Sequence, residues 1–343
     1  MRKPGLGRDM ISSHKAKRRL TRLLGPLARD LTARRARVLM YHRFCGHDHR
    51  RRTSAATFEQ QMAYLARNFR PRRLADVVAR LRAREPLEER TVVITVDDGY
   101  ADFFEFAYPI LTNYEVPATV YLVSEFTGQG QWLWFDAVEW LTQRAPAGTY
   151  ALEMTGEVLE ADLSAADSRA HLARRLFDRC LKLPPAEIRA TLNALQAQLN
   201  LKLPASPSPE HAAMSWDQVR SLDPTLIDIG SHTRTHPLLA LCAADEQLAE
   251  IEGSKVDIER QIGRKVEAFA YPNGQRGDFS AATTSIVREC GFSSAATAYG
   301  GMVRADGNPF ALSRLGAPAD MHLFRNCVNG LWELRASASG KEN

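Results

Sequence analysis

Short apolar runs alternate with segments of helical periodicity along most of this chain. Val38–His42 reads as a short buried strand. Thr57–Phe69 carries Phe58, Met62 and Leu65 on one helical face, with Thr57 placed to cap it. Leu74–Leu81 is a second helical piece. Thr91–Val96 is an uninterrupted apolar and β-branched run, the pattern of a strand buried on both faces. A helix over Ala101–Tyr114, a strand over Ala118–Val123 and a helix over Phe135–Leu141 follow. The alternation resumes with helix Trp216–Leu222, strand Leu226–Ile229, helix Ala244–Ile262 and strand Glu267–Ala270. It ends with helix Phe279–Cys290 and strand Ser293–Thr297. Such βα alternation predicts an α/β fold, a parallel (β/α) barrel rather than an open doubly wound sheet. Neither a GxGxxG nor a P-loop pattern is present, which argues against a nucleotide site.

Residues 142–213 interrupt this rhythm. Ser164–Leu181 and Ala186–Leu199 both show helical spacing, separated by Pro184 and Pro185 and followed by a Pro/Ser loop over Pro204–Pro209. The reading is a helical hairpin inserted into the barrel, at its mouth or on its side. The chain thus divides into an N-terminal arm over 1–37, a barrel over 38–330 and a tail over 331–343.

Charge changes the picture of the arm. The 343 residues carry a net charge of +5, but residues 1–52 hold 16 Lys and Arg against three acids, while the rest holds 29 against 37. Leu20, Leu23, Leu24, Leu27 and Leu31 recur at helical spacing beside Arg18, Arg19, Arg22 and Arg29, interrupted by Gly25-Pro26. Three readings compete: a packed helix with a solvated basic face, an anchor on anionic lipid, and nucleic-acid binding. The last lacks both a fold motif and interleaved aromatics, so no nucleic-acid partner is expected. No apolar run is long enough to span a bilayer or to act as a secretory signal. Five widely spaced cysteines, with no CxxC pair, argue against a disulfide scaffold or a zinc ribbon. A reducing, cytoplasmic compartment is expected, with peripheral membrane contact through the arm.

Candidate chemistry gathers where strands end. In a parallel barrel those C-terminal ends line the active site. Asp97-Asp98-Gly99 follows the Thr91–Val96 strand, so one carboxylate can face a metal and the other the substrate. The competing reading is a helix-capping acid beside a turn. His232 and His236 follow the next strand but one and are spaced to face one point from a single helical turn. With one carboxylate they form a two-histidine, one-carboxylate metal site. Phe269-Ala270-Tyr271-Pro272-Asn273-Gly274 is a third strand-end turn, and His42 ends the first strand, where a lone histidine is by default structural. Trp132, Trp134 and Phe135 are either sugar-stacking or core aromatics.

The Asp97-Asp98-Gly99 segment, the HTRTH at 232–236, the FAYPNG at 269–274 and the opening VLMYHRF at 38–44 together resemble the polysaccharide deacetylase family. This is carbohydrate esterase family four, with its NodB-homology domain. The resemblance covers roughly residues 38–330. It implies a distorted (β/α) barrel and metal-dependent hydrolysis of acetamido groups on sugars, with an acetylated glycan as substrate. It further implies Asp98, His232 and His236 as metal ligands, Asp97 as general base, and the backbone N–H of Asn273 as an oxyanion donor. Zinc is the expected ion, and cobalt, nickel or manganese suits the same ligands.

Two departures accompany the match. Many members carry an arginine that holds the catalytic aspartate, and the aligned position here is Ala270. The late Leu-x-His motif that supplies the general acid is also missing. Arg314 is the candidate to replace the lost charge beside Asp97. His322, and after it His42, is the candidate acid. Without an acid, an ester substrate gains ground over an amide. O-deacetylation, cleavage of another C–N bond and a non-catalytic sugar-binding protein are the remaining readings.

Overall fold

The computed structural model describes residue 21 and residues 23–128, 130–154 and 156–338. In chain order the elements are α1 (residues 23–31), β1 (Arg37–Tyr41), β2 (Phe44–Cys45), β3 (Thr53–Ser54), α2 (Ala55–Asn68), β4 (Arg70–Pro71), α3 (Leu74–Ala83) and β5 (Thr91–Val96). A π-turn over Phe103–Ala107 leads into α4 (Tyr108–Asn113), β6 (Ala118–Leu122) and α5 (Trp134–Arg144). The insertion holds β7 (Thr149–Met154), β8 (Glu157–Asp162), α6 (Ala166–Cys180) and α7 (Pro185–Gln198). The barrel continues with α8 (Trp216–Ser221), β9 (Ile227–Ser231), α9 (Ala244–Ile262), β10 (Ala268–Ala270), α10 (Ala281–Glu289) and β11 (Ser294–Ala296). It closes with β12 (Leu315–Gly316), α11 (Met321–Val328) and α12 (Leu331–Ala338).

One parallel sheet runs β11-β10-β9-β6-β5-β1-β12, and β4 pairs with the start of β5. Leu312 bridges Ala296 at the end of β11, while Leu315 pairs with Leu39 of β1. Residues 312–316 therefore span the two ends of the sheet and make the curled sheet a distorted barrel. This seam is too short for a periodic pattern, which is why it is not visible in the sequence. Period-two alternation sorts the side chains. Val92, Ile94 and Val96 join the core under the outer helices, with Leu39 and Tyr41. Val93 faces the other way, into the barrel, with Val38, Tyr121, Ala270 and Leu312. Thr95 and Asp97 follow Val93 on that inner side. Gly230 of β9 is required there, because a Cβ would lie 2.4 Å from the Tyr121 ring.

The expected single helix over Ala101–Tyr114 is divided. Pro109, in the first turn of α4, has no N–H to donate backward, and the turn before it widens. The expected Thr57 cap is also corrected: Ser54 is the N-cap of α2, and its hydroxyl accepts from the Thr57 N–H. In the insertion both expected helices form, each packed on α5. An antiparallel ribbon, β7 with β8, precedes them. Its inward residues Leu152, Met154 and Leu159 share a separate apolar core with α5, α6 and α7. The tail is helical as far as α12, where Glu333 pairs with Arg35 at 2.6 Å. Of the basic arm, Arg18, Arg19, Leu20 and Arg22 lie outside the described residues. All five cysteines are free thiols, and no helix among the described residues is long and apolar enough to cross a membrane.

Ser54→Ala is expected to cost about 1 kcal/mol in denaturant unfolding, by loss of the cap. Thr57→Ala, inside the first turn, should cost less; equal losses would contradict this capping assignment.

Candidate active site

The strand ends converge on a cavity of about 830 Å³ lined by His42, Asp97, Asp98, His232, His236, Asn273 and Arg314, among others. Asp97 is 2% exposed. Arg314 rises from the seam strand and grips it with two parallel bonds, Nη1 to Oδ1 at 2.6 Å and Nη2 to Oδ2 at 2.8 Å. The third guanidinium nitrogen, Nε, donates to the Thr297 carbonyl at 2.7 Å, and Nη1 also reaches Thr95 Oγ1 at 3.3 Å. Burial by itself would raise the Asp97 pKa, but Arg314, with lesser help from His232 and His42, holds it well below the usual carboxylate range. Asp97 is thus an ionised, oriented carboxylate at neutral pH.

Asp98 faces a different group. His232 Nε2 and His236 Nε2 each lie 3.7 Å from its Oδ1. The sharp turn that separates the two carboxylates needs a left-handed backbone: φ is 75° at Asp98 and 85° at Gly99. A Cβ on Gly99 would lie 2.6 Å from Leu122 Cδ2, so only glycine fits. The histidines do not stand on a helical turn, as their spacing suggested. They sit on a loop, with φ of 67° at Thr233 and 60° at His236, closed by the His236 N–H donating to Thr233 Oγ1 at 3.1 Å. His232 Nδ1 lies 2.7 Å from the Ala270 carbonyl, so it carries the proton and leaves the Nε2 lone pair toward Asp98.

This donor set fits a divalent cation. Burial lowers the His232 pKa to about 4, and burial with the neighbouring His232 drives His236 well below its ordinary value, so both imidazoles are neutral ligands. Burial and the Asp97 and Asp136 carboxylates push Asp98 far upward. Asp98 Oδ1 and His236 Nδ1 are buried without a hydrogen-bond partner. A cation among the three residues would supply the missing partner of Asp98.

The structure brings Arg314, Asn273 and His42 to the same cavity. Asn273 is left-handed, with φ 56°, and its side chain donates to Asp278 at 2.6 Å, which holds its backbone amide in place. His42 Nε2 lies 3.7 Å from Asp97 Oδ2, with the ring half-exposed to the cavity. His322 is not brought there, which corrects its reading as the acid. Asp320 caps α11 by accepting from the His322 and Leu323 N–H groups, and the ring turns to Thr21 at 3.3 Å and Asn326 at 3.2 Å.

Sequence reasoning missed the far wall. Asp136, in the first turn of α5, looks like an ordinary helix-start acid. Its carboxylate accepts from the Tyr100 hydroxyl at 2.6 Å, and burial pushes its pKa up to about 7. With Glu139 and His211 it forms a second group of metal-ligating type. Guanidiniums already stand beside that group, Arg43 at 4.0 Å from Asp136 and Arg51 at 3.3 Å from Glu139, which disfavours a cation. Of the three flagged aromatics, Phe135 sets its ring edge against His236 at 5.4 Å, and Trp134 stacks on Phe177 of the insertion. Trp132 packs on Trp140 and His211.

A family model described as polysaccharide deacetylase matches residues 84–161 and 176–295. Among curated proteins, a poly-beta-1,6-N-acetyl-D-glucosamine N-deacetylase of Escherichia coli (strain K12) is 40% identical over 68 residues, 20% of this chain and 10% of that protein. The chain thus matches about a tenth of that relative's length. Among solved structures, the Streptococcus pyogenes deacetylase PplD in complex with acetate superposes with a TM-score of 0.57 at 18% identity, covering 88% of this chain and 98% of that one. IcaB from Ammonifex degensii gives 0.58 at 18% identity, with 86% and 97% covered. At such identities these two similarities concern the fold.

Calorimetric titration with Zn²⁺ is expected to show a single tight site, which Asp98→Asn or His236→Ala weakens by more than the ~10–100-fold typical of outer-shell changes. Asp136→Asn should leave the stoichiometry unchanged; loss of an equivalent would contradict the assignment. Arg314→Met should destabilise the fold by about 3–5 kcal/mol, because it leaves Asp97 buried and unpaired. Thermal and denaturant unfolding would check this.

Proposed function

The chain belongs to the polysaccharide deacetylase family, and on that premise we propose that this cavity removes acetyl groups from N-acetylated sugars of a polysaccharide, oligosaccharide or lipid-linked glycan. The observation that carries the reading is the pairing of two differently tuned carboxylates. Asp97 is clamped and ionised by Arg314, and the adjacent Asp98 is turned toward two neutral imidazoles. A pure binding protein needs neither arrangement.

A divalent ion held by Asp98, His232 and His236, with zinc the first expectation and cobalt, nickel or manganese compatible, would polarise the acetyl carbonyl and acidify water at the site. Asp97, fixed in orientation, accepts a proton from the attacking water. The Asn273 N–H lies in a rigid turn and donates to the carbonyl oxygen as negative charge develops there. Cleavage of the C–N bond then requires a proton on the leaving nitrogen. His42, 3.7 Å from Asp97, is the proposed donor, passing on the proton that Asp97 takes from the attacking water. With His42 as the acid, an amide substrate needs no further proton donor. Water and amide are consumed, and acetate and free amine are produced. The free thiols suit a reducing cytoplasm, and the basic arm suits a peripheral position at a membrane surface.

Acetate release from a panel of acetylated oligosaccharides, headed by β-1,6-linked N-acetylglucosamine, is the test. Release should vanish in Asp98→Ala. Asp97→Asn and His42→Ala should each lower turnover about 10²–10⁴-fold while metal binding is retained, and His322→Ala should leave turnover unchanged. A metal-loaded chain that releases acetate from no member of the panel would overturn the proposal.

A further inference from the structure

Helix α1 is amphipathic in an inverted sense. Gly25 and Ala28 are its buried residues, and Thr32, just past its end, is buried on the same side. Gly25 lies against Asn329, Thr32 lies against Gly330, and Thr21 hydrogen-bonds to His322, so this small and polar side packs beside α11. The leucines face outward: Leu23 is 78% exposed, Leu24 40%, Leu27 57% and Leu31 65%. Leu23, Leu27 and Leu31 recur every four residues, which places them in one stripe. Leu323 on α11 and Trp332 on α12 are exposed as well. Six of the ten exposed large hydrophobic residues among the described residues therefore belong to these three helices. Scattered single leucines would need no explanation, but a stripe of exposed leucines along one helix marks a contact surface.

Charge selects the occupant. Residues 1–20 hold seven Lys and Arg against one acid, and Arg22, Arg29 and Arg34 follow. A second copy of the chain would bring two such arms together and repel. A cover made from residues 1–20 would set seven cations beside the leucines and offer only Met1, Leu6, Met10, Ile11 and Leu20 as large apolar side chains. An anionic bilayer surface meets both demands at once, acyl chains for the leucines and headgroups for the cations.

We infer that the leucine face of α1 seats the protein in the interface of an anionic membrane. The inference rests on the peripheral location proposed above and names the surface that makes the contact. Leu23, Leu27 and Leu31 enter the acyl boundary, and the net positive charge of the arm complements the anionic headgroups.

The full chain is sedimented with vesicles of pure phosphatidylcholine and of equal parts phosphatidylcholine and phosphatidylglycerol. Wild type is expected to pellet with the mixed vesicles. The triple variant Leu23→Gln, Leu27→Gln, Leu31→Gln should partition at least about tenfold less, with unchanged acetate release from a soluble oligosaccharide. Equal partition of the variant and wild type would overturn the leucine contact while leaving a purely charge-borne peripheral location standing. Failure of wild type to bind either vesicle would overturn both. A wild-type dimer on gel filtration that the triple variant abolishes would also overturn the inference, by assigning the face to a second copy.

Discussion

Arg314 spans the barrel seam to Asp97, and the rest of the site depends on that contact. A guanidinium and a carboxylate, each about 2% exposed, are costly to bury apart, and their two parallel bonds offset that cost. The pair also ties the short closing strand to the end of β5, so the last strand of the barrel is locked to a central one. With Asp97 fixed and ionised, the chain must turn sharply at Asp98 and Gly99. This turn sends the second carboxylate to the histidine loop rather than to the arginine.

A division of labour follows from neighbours rather than from residue type. Asp97 and Asp98 are chemically identical and adjacent, yet their affinities for a proton are driven in opposite directions. One faces a permanent cation; the other is buried beside like charge with an unsatisfied oxygen. The same contrast separates the second acidic group at Asp136. There, guanidiniums stand beside the acidic group, and burial leaves the Asp136 carboxyl titrating at about 7.

The insertion adds a wall to the cavity. Its ribbon and helices have their own apolar core on α5, and through Trp134 and Phe135 that core reaches His236. The cavity is therefore bounded both by the strand-end turns of the barrel and by the inserted unit, whose Phe177 and Leu181 line it.

Much of this was legible from residue order. The unbroken β-branched run of β5, the periodicity of α9 and the strand-end positions of Asp97, Asp98, His232, His236 and Asn273 are local patterns, and local patterns are what a linear sequence expresses. Arg314 was legible only as a candidate for a vacant charge, through resemblance. His322 ranks ahead of His42 as the candidate acid in the sequence, where each is a lone histidine near an apolar run and no spacing separates them. Only the fold decided that the β1 end opens on Asp97 whereas the α11 start is capped by Asp320 and turned to α1. The two-residue seam strand, the β7–β8 ribbon, the Asp136 wall and the outward leucines of α1 were likewise beyond the sequence. Each depends on which surface a neighbour far along the chain covers, and periodicity states that a face is apolar without stating what it meets.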